Sequence, residues 1–420
     1  MYLLRLSFKS LANRRFTALL TVLAIALSVA LLLGVERIRT EARASFANTI
    51  SGTDLIVGAR SGSVQLLLYS VFRIGNATNN ISWNSYQHMA SHPRVDWAIP
   101  VSLGDSHRGF KVMGTDTGYF DHFRHGKQQA LALSEGVVFD DLYDAVIGAD
   151  VARDLGYGVG DEIVLAHGTG SVSFIDHADK PFRISGILAR TGTPVDRTVH
   201  ISLEGMQAIH LGWNGGTPAR GPNRISADQA RQVDLTPTSI TAVLLGLDSR
   251  IATFAVQRDV NQYRGEPLQA ILPGVALQEL WSLLGTAEKA LLLVSGCVVL
   301  TGLIGMLTAV LAGLNERRRE MAILRSVGAR PLHVFGLLLS EALALALTGI
   351  GCGLMILYAV LWLARPWLLT HYGLFIAIQP PAPTEWRLLG GILLASVLIG
   401  CIPAWRAYRM SLTDGLSIRI

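Results

Sequence analysis

The sequence predicts a membrane protein with four transmembrane α-helices and a large α+β extracytoplasmic domain between helices 1 and 2. Three observations lead there. Half of the 420 residues are hydrophobic and only 16% are charged, with a mean hydropathy of +0.39; soluble domains carry about 25% charged residues. Four stretches lack charge for long enough to cross a bilayer. The basic residues gather beside those stretches, not on the long segment between the first two. Such a composition excludes collagen, disordered tails and small disulfide scaffolds. The length suggests two or three compact units. A net charge of +5 would point to nucleic acid only as a basic face on a soluble domain. Its placement argues otherwise, so no nucleic-acid partner is expected.

The charge-free stretches are 16–35, 290–315, 342–364 (in a third span drawn over 334–364) and 388–405. At about 1.5 Å per residue, roughly 20 helical residues cover a hydrocarbon core of about 30 Å. Buried helices of a large soluble core are the alternative, but these rarely run so long without charge. Arg14 and Arg15 precede the first stretch as they would in a signal peptide. The apolar run is longer than a typical signal core, and the nearest small-x-small triplet, Ala42-Arg43-Ala44, lies far downstream. An uncleaved anchor is expected.

Orientation follows from Lys and Arg near the spans. Residues 1–15 carry Arg5, Lys9, Arg14 and Arg15 and no acid. The 316–333 segment carries Arg317, Arg318, Arg319, Arg325 and Arg330 against Glu316 and Glu320. The 406–420 tail carries Arg406, Arg409 and Arg419 against Asp414. These three segments, with both termini, are therefore expected in the cytoplasm, and 36–289 and the short loop 365–387 outside. All three cysteines (Cys297, Cys352 and Cys401) fall within spans. An outer domain without cysteine relies on its hydrophobic core and suits a bacterial periplasm.

Within 36–289, the entry mixes charges at helical spacing, as in Arg37 and Glu41. The exit places Leu277, Leu280, Trp281 and Leu284 on one helical face. Spans 1 and 2 are thus expected to continue outward as stalk helices. Between them, strands are expected at 54–57, 95–100, 110–113, 162–166, 182–188, 199–201 and 240–247, with helices at 83–90, 150–155 and 203–209. The pattern is mixed α+β without βαβ alternation. The Gly, Pro and Asn cluster at 212–223 reads as an exposed loop.

Several chemistries are missing. Lys127 follows a glycine, but Gln128 and Asp121 stand where a P-loop needs Ser or Thr and its first Gly. There is no Gly-x-Ser-x-Gly elbow and no His-Glu-x-x-His pair. Gly156, Gly158 and Gly160 read as turn glycines. The chain is therefore not expected to be an enzyme or to hold a cofactor. Nine of the eleven histidines lie in 36–289. His88 and His92 are i, i+4, and His122 and His125 are i, i+3, spacings that can bring two imidazoles to one metal. Surface or capping roles are the plainer reading of all four.

The segment after span 2 reads Glu316-Arg317-Arg318-Arg319-Glu320-Met321-Ala322-Ile323-Leu324-Arg325-Ser326-Val327-Gly328-Ala329-Arg330. It is expected to form a short amphipathic helix along the membrane surface, stopped by Gly328. Positive-inside anchoring explains part of it; docking to a partner protein would use the rest. Glu316, Arg317, Arg318, Glu320, Leu324, Arg325, Gly328 and Ala329 closely resemble the coupling segment of the FtsX/MacB-like (type VII) ABC transporter permease superfamily. Leu337-Leu338-Leu339-Ser340-Glu341, opening span 3, and Pro403-Ala404-Trp405-Arg406-Ala407 also resemble it. So do Ile147-Gly148-Ala149-Asp150-Val151-Ala152, Gly160-Asp161-Glu162-Ile163 and Phe182–Leu188, which are similar to the MacB-like periplasmic core.

The resemblance implies a stand-alone permease subunit similar to lipoprotein-release and MacB-type permeases. MacB carries its own amino-terminal ATPase domain and this sequence has none, so ATP and Mg are expected on a separate ABC ATPase subunit. A second permease copy or paralogue completes such an assembly, with a periplasmic adaptor or lipoprotein and membrane lipid as further partners. The segment 316–330 would ride on the ATPase, and the outer domains would push a periplasmic or envelope substrate, a mechanism of mechanotransmission. Two alternatives stay open. One is an FtsX-like regulatory scaffold that activates an envelope enzyme. The other is the permease of a metal (zinc)-supply system, because 51–60 and 79–81 resemble a subgroup of stand-alone permeases so associated. Small residues recur at Ala26, Ala30 and Gly34 in span 1, and at Gly305, Ala309 and Gly313 in span 2. Such faces allow close helix approach in lipid and are expected at the contact between copies, although small residues are common in membrane helices anyway. Glu341 is costly in lipid and is expected at the boundary, as a positioning residue.

Overall fold

The first charge-free stretch lies inside one long helix, α1 (Arg15–Thr49), in a computed structural model of the chain. The structure describes residues 15–126, 128–168, 177, 179–214, 217–218, 225–316, 321, 323, 325–372 and 378–409. The further helices used below are α2 (Ser63–Ser70), α3 (Trp83–Ala90), α4 (Ala149–Leu155), α5 (Leu203–His210), α6 (Thr253–Asn261), α7 (Pro273–Glu316), α8 (Pro331–Tyr372) and α9 (Pro383–Arg409). The chain divides into two units. One holds Met1–Glu41, Gly285–Trp367 and Ile376–Ile420, the other Ala42–Leu284 and Leu368–Phe375.

In the first unit, four helices are long and apolar enough to cross a membrane. Their surfaces invert the soluble pattern: Phe16, Leu19, Leu23 and Leu27 of α1, and Leu394, Leu398 and Ile402 of α9, are exposed. Large apolar side chains on the outside are what a lipid solvent selects. The inner faces are lined by small residues. Gly353 of α8 lies so close to α1 that an added Cβ would sit 2.8 Å from Ala26 O and from Val29 Cβ. At Gly302 of α7 the corresponding neighbour is Ser28 Oγ, at 2.9 Å. Ser28 Oγ donates to Ala24 O at 2.7 Å in its own helix and approaches Val298 O across the contact at 3.1 Å. Helix α8 runs to Tyr372, past the expected end of span 3 at 364.

The second unit is built on a mixed sheet. Its strands are β1 (Leu55–Ala59), β2 (Val95–His107), β3 (Phe110–Thr115), β4 (Leu133–Gly136), β5 (Asp144–Ile147), β6 (Glu162–Ile163), β7 (Ala166–His167), β8 (Phe182–Leu188), β9 (Thr198–Ser202), β10 (Ala242–Leu247) and β11 (Leu268–Ile271). Their spatial order is β11-β1-β10-β2-β3-β9-β5-β8-β4, with β7 on β2 and β6 on β8. Two neighbours, β9 with β3 and β8 with β5, are parallel. Strands β2 and β3 form a hairpin turning at Arg108 and Gly109, both with positive φ, the geometry that matches the twist of paired strands.

Side-chain alternation splits the core in a period-2 pattern. On one face Ile56, Leu244, Met113 and Val146 join one cluster. On the opposite face Leu55, Val57, Val243 and Leu245 pack with α6, and Val112, Ala145, Ile147, Val199 and Ile201 pack with α5. A sheet covered on both faces reads as short, nearly continuous apolar runs. Of the expected face on the outward continuation of span 2, Leu277 is buried and Trp281 meets Phe46 edge-on at 5.5 Å. Leu284 is 43% exposed. The 212–223 segment, expected as a loop, holds a two-strand pair, Trp213–Asn214 with Thr217–Pro218; its other residues from 215 on lie outside the described residues.

Candidate functional site

Arg317, Arg318, Arg319, Glu320 and Leu324 of the expected coupling segment lie outside the described residues. Glu316 is the last residue of α7. Beyond it, Met321 is buried, Arg325 is half-buried, and Ile323 and Val327 are 51% and 83% exposed. Val327 N donates to Ile323 O at 3.1 Å, and Gly328 N to Arg325 O at 3.1 Å. Gly328 has φ +104, a left-handed geometry that ends a helix and favours glycine. Half-buried Ala329 follows. Arg330 N donates to His333 Nδ1 at 3.1 Å, at the start of α8.

The small residues of spans 1 and 2 have different surroundings. Ala26 is 1% exposed and lies against Gly353 of the same chain, and Gly34 is beside Leu357, 3.5 Å from where its Cβ would stand. These two residues of α1 therefore serve packing within the chain, because α8 covers them. Ala30 and Ala309 are half-buried and Gly313 is buried. Gly305 meets nothing within 4 Å and opens outward. Glu341 is 8% exposed on α8, next to Ala342, which lies 2.8 Å from the Cβ position of Gly400.

The four histidines singled out by spacing have separate surroundings. His88 stacks on Tyr263 with ring centroids 4.7 Å apart. His92 Nε2 lies 3.6 Å from Asp259, and its Nδ1 accepts from Arg94 N at 3.2 Å. His122 stacks on Trp97 at 5.3 Å. His125 pairs with Gln129 across a two-residue ladder, and burial lowers its pKa below the ordinary value.

A different set does converge. Asp105, His167, His177 and His210 each place one donor atom within 4.8 Å of the others. Four elements supply them. Asp105 is on β2 and His167 is its direct cross-strand partner on β7. A one-residue register shift between Leu103 and Ser106 interrupts the alternation of β2. Such a bulge re-aims a side chain: Leu103 packs with the cluster of the first face, whereas Asp105 meets His210 at the end of α5 on the other. Helix α5 is N-capped by Ser202, whose Oγ accepts from Gly205 N at 2.9 Å. Its terminal carbonyls are held by buried Lys180, which donates to Ala208 O at 2.7 Å. His177 is anchored through its backbone, donating to Leu165 O at 2.8 Å.

Within the set, His167 Nδ1 is 3.2 Å from Asp105 Oδ1, His210 Nε2 is 3.5 Å from Asp105 Oδ2, and His210 Nε2 is 3.3 Å from His167 Nδ1. His210 Nδ1 donates to Met206 O at 2.8 Å, which leaves the ring's lone pair on Nε2. Asp105 and His177 are 0% exposed; His167 and His210 stand at the mouth with 45% and 30% of their side chains exposed. Burial pushes the His177 imidazole down to about 4. Burial also pulls His210 down, but the Asp105 carboxylate outweighs it and the net shift is upward. Residues separated by 62 and 43 positions leave no spacing motif, so no sequence signal marked this set.

Two family models match the chain: the MacB-like periplasmic core domain over residues 18–263 and the FtsX-like permease C-terminal over residues 292–412. No curated protein matches it. Among solved structures, it is similar to the crystal structure of the periplasmic region of MacB from Actinobacillus actinomycetemcomitans. That match has 9% identity and a TM-score of 0.33, covering 55% of this chain and 94% of that one. It is also similar to the extracellular domain of the noncanonic ABC-type transporter YknZ from Gram-positive bacteria, with 12% identity and a TM-score of 0.31, covering 52% of this chain and 99% of that one.

Proposed function

Because the chain belongs to the FtsX/MacB-like family of ABC transporter permeases, we propose that it is the membrane subunit through which a separate ATPase moves an outer domain. ATP and Mg bind that ATPase. Two permease copies complete the assembly in the bacterial inner membrane, with both termini in the cytoplasm, and the cargo or partner is met in the periplasm. The observation that carries this reading is the turn from Ile323 to Gly328. It presents Ile323 and Val327, one helical turn apart and exposed, beside the half-buried Arg325. Exposed apolar residues next to a cation suit a protein partner. Helices α1 and α7 each contribute residues to both units, which supports continuous helices as the elements that carry movement.

The test is co-purification from the native host. The detergent-solubilised wild-type chain should bring an ABC ATPase with it. Val327→Asp combined with Arg325→Glu should reduce that recovery at least about tenfold, the loss expected when a central apolar contact becomes a buried charge. The melting temperature of the variant should match wild type. Undiminished ATPase recovery by the double variant would contradict the assignment of this turn. Absence of any ATPase with the wild-type chain would remove the reading altogether.

A further inference from the structure

We propose that Asp105, His167, His177 and His210 form a binding site for one divalent transition-metal ion, with zinc as the ion the donor set fits best. Three imidazoles and one carboxylate are nitrogen and oxygen donors of the kind found around zinc, whose bonds to such atoms are about 2.0–2.2 Å. Four donors at that radius in a tetrahedron stand about 3.3–3.6 Å from one another. Asp105 Oδ1 stands 3.2 Å from His167 Nδ1, Asp105 Oδ2 stands 3.5 Å from His210 Nε2, and the two histidine nitrogens are 3.3 Å apart. His177, buried against the same group with its ring 5.4 Å from that of His210, supplies the fourth donor. The whole set lies within 4.8 Å, so closure around an ion takes side-chain rotation and no backbone movement.

The surroundings are those of a ligating site. The hydrogen bond from His210 Nδ1 to Met206 O orients the ring and sets its tautomer, the usual outer support of a metal-bound histidine. Asp105 is fully buried, and its Oδ2 accepts no hydrogen bond among the described residues. A buried carboxylate requires compensation, and a bound dication would supply it. The exposed edges of His167 and His210 give an ion a route from solvent. A two-residue strand, His177 and a helix end converge here on β2, so a bound ion would tie them together.

The experiment uses the full chain in detergent, stripped with a chelator and titrated with zinc alone. One equivalent per chain should bind with micromolar or tighter affinity and raise the melting temperature. His167→Ala and His210→Ala, both at the mouth, should each weaken binding about 10- to 100-fold or more while their metal-free melting curves stay near wild type. Loading cobalt instead should give the visible absorption of a four-coordinate ion, and this should collapse in both variants. Absence of stoichiometric uptake, or uptake unchanged in both variants, would overturn the assignment. So would loss of uptake on His88→Ala or His92→Ala instead.

Discussion

Arg37 and Glu385 form an ion pair between helices α1 and α9, Nε to Oε1 at 3.3 Å, with 4% and 5% of their side chains exposed. Arg37 Nη2 also donates to Gln379 O at 2.8 Å, and Glu385 Oε2 accepts from Ala382 N at 3.0 Å. The charges thus fasten α1 to the start of α9. Removing one partner strands the other away from water, a loss of about 3–5 kcal/mol. Glu385→Leu and Arg37→Leu should each lower the melting temperature of the solubilised chain markedly. The double variant Arg37→Leu, Glu385→Leu should melt higher than the worse single variant. Melting curves of the three variants check this, and additive losses would show that the pair is not coupled.

Helix packing offers a matched comparison. A methyl at Gly353 would press on the α1 backbone at Ala26 and on Val29, whereas one at Gly351, two residues earlier, meets nothing within 4 Å. Gly353→Ala should cost about 1–3 kcal/mol of stability through overpacking. Gly351→Ala should be neutral or slightly stabilising, because it lies on an open face of the same helix. Thermal denaturation of both variants in one detergent distinguishes them.

His200 predicts an acid dependence. It is fully buried among Tyr119 and Phe120, donating from Nδ1 to Val146 O at 3.1 Å. Burial, helped by the Arg73 charge, pushes its pKa down to about 3. A histidine lowered on folding stays neutral in the native state while the unfolded chain takes up a proton near pH 6.5. Its stabilising contribution is therefore complete above about pH 6.5 and is lost as the pH falls towards 3. The melting temperature of the chain should drop over that window. His200→Gln, which cannot be protonated, should flatten the drop while lowering stability at neutral pH. A pH series of melting curves reads both effects.

Ser202 caps the helix that ends in His210. Ser202→Ala removes the bond from Gly205 N and should cost about 0.5–2 kcal/mol. If the cap positions His210, the same variant should weaken zinc uptake several-fold less than His210→Ala does. Calorimetric titration alongside thermal melting separates the two quantities.

Much of the architecture was legible in the residues because its signals are local. Charge-free length marked the spans, and strand 182–188 coincides with β8. Helix 83–90 coincides with α3, which Ser82 caps through Ser85 N. Other elements lacked a local signal. Strand β5 is four residues long and is defined by its neighbours β8 and β9. Helix α6 is largely polar and shows only Thr253, Val256 and Val260 to the core, and α2 sits where its leucines could equally have read as a strand. The histidine pairs at i, i+3 and i, i+4 were the visible pattern, yet each took a separate aromatic, acidic or backbone partner.

By itself, then, the sequence determined how many helices can cross a bilayer and which segments carry the positive charge, because hydropathy and charge act over one segment at a time. It also carried the family signature at 316–341. Tertiary structure alone decided that Ala26 faces Gly353, that Arg37 meets Glu385, and that Asp105 is brought to three histidines. The first two depend on how helices far apart in the chain pack, the third on strand register, a single bulge and the end point of one helix, and none of these is written in the spacing of residues along the chain.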